Sequence, residues 1–125
     1  MSLRMTLSAV NLDCPDPTAL AAFYQRATGL EPDPKSTAEF AGLRRSDGFY
    51  IGFQRVAGHR PPTWPDPDVP QQLHLCFDVV GADLDEAEAR LLELGAGRPD
   101  HQPNEDRWRV LTDPAGHPFC IIARG

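Results

Sequence analysis

Residues 16–29 read Asp16-Pro17-Thr18-Ala19-Leu20-Ala21-Ala22-Phe23-Tyr24-Gln25-Arg26-Ala27-Thr28-Gly29, and residues 83–95 read Asp83-Leu84-Asp85-Glu86-Ala87-Glu88-Ala89-Arg90-Leu91-Leu92-Glu93-Leu94-Gly95. Each run opens on an aspartate able to cap a helix N-terminus and closes on a glycine, which takes a left-handed C-terminal cap without strain. Pro17 suits the first helical position. Leu20, Tyr24 and Ala27 share one helical face, as do Leu84, Ala87, Leu91 and Leu94. Pro17, Leu20, Tyr24 and Ala27 return 67 residues later as Leu84, Ala87, Leu91 and Leu94. Two helices in one register predict a duplicated unit.

The flanking segments repeat the same order. Residues 6–13 and 73–80 alternate as strands ahead of each helix. Residues 40–45 and 49–56 read as a hairpin turning at Ser46-Asp47-Gly48, and 108–112 and 119–123 as another around Asp113-Pro114-Ala115-Gly116. Each half is therefore strand, helix, then two or three strands. Thirteen prolines are the compositional outlier, five of them between Pro61 and Pro70. That stretch fits neither helix nor central strand, so residues 57–70 are expected to link the halves. Trp64 within it either packs as a hinge or closes over a ligand. The expectation is one domain over 1–125, with a first module at about 5–56 and a second at about 71–124.

At 125 residues the chain is large enough for one real core. Its net charge of −6, with twelve scattered cations, argues against nucleic acid as a partner. No apolar run approaches a membrane span, and the first residues lack the pattern of a secretory signal. A cytoplasmic protein is expected. Cys14, Cys76 and Cys120 form no CxxC pair and no disulfide framework. The acidic residues Asp85, Glu86, Glu88 and Glu93 read as a solvated helix face.

The segments Asp16-Pro17 to Gly29-Leu30, Leu73-His74-Leu75, and Trp108 through Asp113-Pro114-Ala115-Gly116 to Phe119, together with the repeat, resemble the glyoxalase / bleomycin-resistance / extradiol-dioxygenase superfamily, the vicinal oxygen chelate proteins. The resemblance is to its small single-domain glyoxalase-like branch. It implies an α+β fold of tandem βαβββ modules, a curved mixed sheet around a cleft with helices on the convex side. It also implies a homodimer.

Strand alternation then separates cleft-facing from core-facing residues. Val10 and Leu12 fall on the core side, leaving Asn11 inward; Ile51 and Phe53 oppose Tyr50, Gly52 and Gln54. Leu75, Phe77 and Val79 oppose His74, Cys76 and Asp78, and Phe119 and Ile121 oppose Cys120 and Ile122. For β-residues 108–111, either Trp108 and Val110 or Arg109 and Leu111 face the cleft. The candidate ligand-binding residues are Asn11, Tyr50, Gln54, Trp64, His74, Cys76, Trp108 and Cys120, with His74 the candidate catalytic group.

Metal-using members of the superfamily draw a His or Gln, a mid-chain His and carboxylates from comparable strands. Carried onto this chain, those positions fall near Ala9, on His74, near Gly52 and on Cys120; His74 alone matches. The reading is a small organic ligand bound without metal or other cofactor. The alternative is a lyase, isomerase or dioxygenase using His74, with a divalent ion on His74 and Cys120 if a metal is present.

Overall fold

The computed structural model describes residues 2–123; residues 1, 124 and 125, the ends of the expected domain, lie outside the described residues. The chain divides after His59 into two compact units. The first contains β1 (Ala9–Cys14), α1 (Pro17–Thr28), β2 (Glu31–Pro32), β3 (Phe40–Arg44) and β4 (Tyr50–Arg55). The second contains β5 (Leu75–Val79), α2 (Leu84–Leu94), β6 (Trp108–Thr112) and β7 (Pro118–Ala123). The α+β class and the strand–helix–strand repeat are those expected.

Both helices form for the reasons their sequences give. The Asp16 carboxylate accepts the Ala19 amide at 3.2 Å and the Asp83 carboxylate accepts the Glu86 amide at 2.8 Å. Gly29 and Gly95 sit at φ 73° and 119°, left-handed values that permit the C-terminal caps.

In the first unit the sheet runs β1-β4-β3-β2, with β1 and β4 parallel and the remaining pairs antiparallel. Leu12, Ala41, Leu43, Ile51 and Phe53 on one face bury against Leu20, Phe23 and Tyr24 of α1. The Tyr24 and Phe53 rings stack with centroids 5.7 Å apart, which centres this core. The opposite face carries Asn11, Gly42, Tyr50, Gly52 and Gln54, as their registers require.

The second sheet runs β5-β7-β6, again with one parallel pair, β5 and β7. Here two strands follow the helix, within the two or three expected. The counterpart of β2 is a single bridge, Gly97 to Thr112. Pro99 and Pro103 offer no amide to extend that pairing into a strand. Two strand starts also move inward: the 6–13 and 73–80 segments begin their pairing only at Ala9 and Leu75.

Residues from Arg60 onward group with the second unit. A Cβ on Gly116 would run into Pro61, so the proline-rich segment lies directly against the β6–β7 turn. The Thr63 amide donates to the Val69 carbonyl at 2.7 Å, and the Val69 amide to the Thr63 hydroxyl at 2.9 Å, closing the loop on itself. No helix among the described residues is long and apolar enough to cross a membrane.

Candidate functional site

The second unit holds a cavity of about 370 Å³. Its floor is one face of the sheet. Pairing Cys76 with Cys120, Val110 with Cys120, and Trp108 with Ile122 puts these side chains on the same side. Trp64, Gln71 and Pro103 complete the wall from loops, and His74 enters two residues ahead of Cys76.

The register settles the alternatives for β6. Trp108 and Val110 face the cavity; Arg109 and Leu111 face α2. Arg109 Nη2 contacts the Asp85 carboxylate at 2.9 Å and Nη1 the Glu88 carboxylate at 3.3 Å, while Arg98 also holds Glu88 at 3.0 Å. The solvated acidic face therefore needs a correction at Glu88. Its side chain is only 18% exposed, drawn inward by two guanidinium groups.

Loop placement rests on side-chain to backbone bonds. The Gln102 amide donates to the Val110 carbonyl at 2.8 Å and accepts from the Val110 amide at 2.9 Å, pinning residues 99–107 to the free edge of β6. The Trp64 ring meets the His101 ring at a centroid distance of 5.3 Å. Trp64 thus belongs to the cavity wall. Gln71 Oε1 is buried there with no hydrogen-bond donor among the described residues.

His74, Cys76 and Cys120 form the polar pole of the site. One ligand atom from each, an imidazole nitrogen and two sulfurs, lies within 4.8 Å of the others. Burial, followed by the neighbouring Cys76, pushes the Cys120 thiol up to about 11.

Of the residues singled out from the sequence, the second unit brings together Trp64, His74, Cys76, Trp108 and Cys120. Asn11, Tyr50 and Gln54 lie together on the first unit's sheet face. There the Tyr50 ring stacks on Phe40 and its hydroxyl donates to Asp33 at 2.8 Å. The cavity residues not singled out were Gln71, Pro103, Val110, Pro118 and Ile122. Val110 and Ile122 follow from alternation with Trp108 and Cys120; Gln71 and Pro103 come from aperiodic loops that carry no such signal.

Two repeated strand–helix–strand units with one parallel pair per sheet define a class of duplicated α+β proteins. Within it, the glyoxalase-like domain family matches residues 9–122, and this chain belongs to that family. No curated protein matches the chain. A possible glyoxalase from Bacillus cereus is similar at 21% identity and TM-score 0.69, covering 95% of this chain and 99% of that one. A glyoxalase/dioxygenase from Nostoc punctiforme is similar at 20% identity and TM-score 0.67, covering 96% and 91%. A mutant fosfomycin resistance protein FosX from Listeria monocytogenes, complexed with Mn(II) and 1S,2S-dihydroxypropylphosphonic acid, is similar at 19% identity and TM-score 0.69, covering 96% and 90%. These likenesses establish the shared fold.

The Mn(II) of that relative is a poor fit to the cavity described here. Mn²⁺ favours carboxylate, carbonyl and water oxygens, whereas this pole offers two sulfurs and one imidazole. Among the described residues, no carboxylate lines the cavity.

Proposed function

We propose that this protein binds a small, planar organic molecule in the cavity of its second unit, as a sequestration or resistance protein working without a manganese-type centre. One observation carries the reading: the chain's two tryptophans, Trp64 and Trp108, both line that cavity. With Val110, Ile122 and two prolines they make apolar walls suited to a flat ring system. The unpaired Gln71 carbonyl offers an acceptor for one ligand N–H or O–H. The volume suits a compact ligand.

A thermal-shift screen with planar phenols, quinones and hydroxybenzoates tests this. A compound at 100-fold its Kd adds about 2.7 kcal/mol, or roughly 10 °C in a domain of this size. A shift that Trp108→Ala removes supports the reading. No shift across the panel contradicts it.

A second reading is an enzyme of the lyase, isomerase or dioxygenase type, in which His74 handles protons. The place of His74 in the cavity wall favours it, since an imidazole carries both a proton donor and a proton acceptor. His74→Ala separates the two: it abolishes turnover in an enzyme and only weakens affinity in a binding protein.

The protein is further proposed to act as a homodimer in the cytoplasm. Leu3, Met5 and Leu7, exposed and alternating just ahead of β1, support a second copy as partner. Three cysteines, none of them in a disulfide among the described residues, suit a reducing compartment. Light scattering of the purified chain reads the oligomeric state directly.

A further inference from the structure

We propose that Cys76 and Cys120 are a dithiol redox pair that exchanges with a low-molecular-weight disulfide and closes to an internal disulfide on the cavity floor. This inference rests on neither the organic ligand nor a metal, and it is tested without either.

Strand register brings the two sulfurs together. Cys76 and Cys120 are directly opposed across the parallel β5–β7 pair, so both side chains leave the same face of the sheet. Their sulfurs lie within 4.8 Å of each other. Adjacent strands run roughly 4.7–4.9 Å apart, inside the range of roughly 4.4–6.8 Å between Cα atoms that a disulfide accepts. Bond formation therefore takes side-chain rotation and leaves the strand ladder in place. Cys14 has no part in it: it is wholly buried in the first unit, where its thiol donates to the Gln54 carbonyl at 3.5 Å.

Difference in access assigns the roles. Cys76 is exposed and meets the incoming disulfide, whereas Cys120 is half-buried beside it. In the first step the Cys76 thiol gives its proton to solvent and its sulfur attacks one sulfur of R–S–S–R. A Cys76–S–S–R bond forms, the reagent's S–S bond breaks, and one RS⁻ leaves and is protonated to RSH. In the second step the Cys120 thiol loses its proton and its sulfur attacks that of Cys76. The Cys76–Cys120 bond forms, the bond to R–S breaks, and a second RSH departs. Two protein thiols are oxidised by two electrons while one disulfide is reduced to two thiols. Cys120 is a weak nucleophile at neutral pH, but attack within a pair held in register has a local concentration that no free thiol reaches. Closure removes both S–H groups from the cavity floor, so the state of the pair changes what the cavity offers a ligand.

The experiment uses the full chain, reduced, freed of reductant and incubated with oxidised glutathione and a metal chelator. Samples are quenched with acid and mapped by mass spectrometry without reduction. The expected result is two molecules of reduced glutathione released per chain, a chain lighter by two hydrogen atoms, and one peptide pair joined through Cys76 and Cys120. Cys120→Ser is expected to stop with a single glutathione held on Cys76, and Cys76→Ser to react at least tenfold more slowly. On the unsubstituted chain, the mixed disulfide is expected to resolve at least tenfold faster in the folded protein than in concentrated urea. Glutathione retained on both cysteines, a bond to Cys14 or to a second chain in place of Cys76–Cys120, equal resolution in urea, or no glutathione released would each overturn the proposal.

Discussion

Cys76 and Cys120 face each other across the parallel pair of β5 and β7, and their thiols differ in setting: Cys76 is exposed, Cys120 half-buried beneath the cavity. Because the thiolate is the reactive form, a thiol pushed up by burial and by its neighbour Cys76 stays protonated at neutral pH. Cys120 should therefore alkylate more slowly than an ordinary thiol at neutral pH, with its rate still climbing above pH 9.0. Peptide mapping after iodoacetamide pulses across a pH series checks this. A rate that levels off below the ordinary thiol value of 9.0 would contradict it.

Gly42 and Tyr50 are similarly interdependent. A Cβ on Gly42 would occupy the space of the Tyr50 ring and hydroxyl. Gly42→Ala should cost about 1–3 kcal/mol through overpacking. In a Tyr50→Ala background the same change should cost far less, because the clash is gone. Urea unfolding of the four proteins gives the coupling; equal costs in both backgrounds would refute the contact.

The Tyr50–Asp33 hydrogen bond ties stability to pH at both ends. Asp33 is lowered from 3.8 by the Lys35 amide first and the Tyr50 hydroxyl second. Its contribution is present above 3.8 and lost as pH falls through and below that value. Tyr50 moves the other way: burial, then Asp33, pushes it up to about 12. Its contribution is present below the ordinary 10.0 and lost as pH rises from there through about 12. Denaturation midpoints should show the wild type losing stability faster than Tyr50→Phe above pH 10.0. They should also show it losing stability faster than Asp33→Asn in acid. Parallel profiles would contradict the bond.

Arg109 secures β6 to α2 from a side chain only 13% exposed, whereas the Arg45–Asp47 pair is more than half exposed on both sides. Arg109→Ala should lower stability by about 1 kcal/mol, since it also loses packing around Glu88. Arg45→Ala should leave the unfolding midpoint where it was. The reverse ranking would mean that β6 is held to α2 by something else.

Much of this fold is visible in the chain because its signals are local. Asp16 and Asp83, with Gly29 and Gly95, mark both helices, and strand alternation sorts Phe53 from Tyr50 and Cys120 from Ile121. Trp108 against Arg109 could not be sorted that way, since both can line a polar cleft. Ion pairs with Asp85 and Glu88, more than 20 residues away, decide it. Trp64 was equally ambiguous, because proline content rules out helix and strand but does not say what a loop packs on. The Cys76–Cys120 pairing depends on the register of two strands 44 residues apart. Periodicity within either strand cannot supply that register.

The most direct test of ligand binding in the second unit is tryptophan emission, since both tryptophans line the cavity. A compound that stabilises the protein is titrated into the wild type, Trp64→Phe and Trp108→Phe while emission is followed. A saturable one-to-one change, retained in part by each single variant, is the predicted result. A stabilising compound that leaves the emission of all three proteins unchanged would place its site elsewhere and contradict the account.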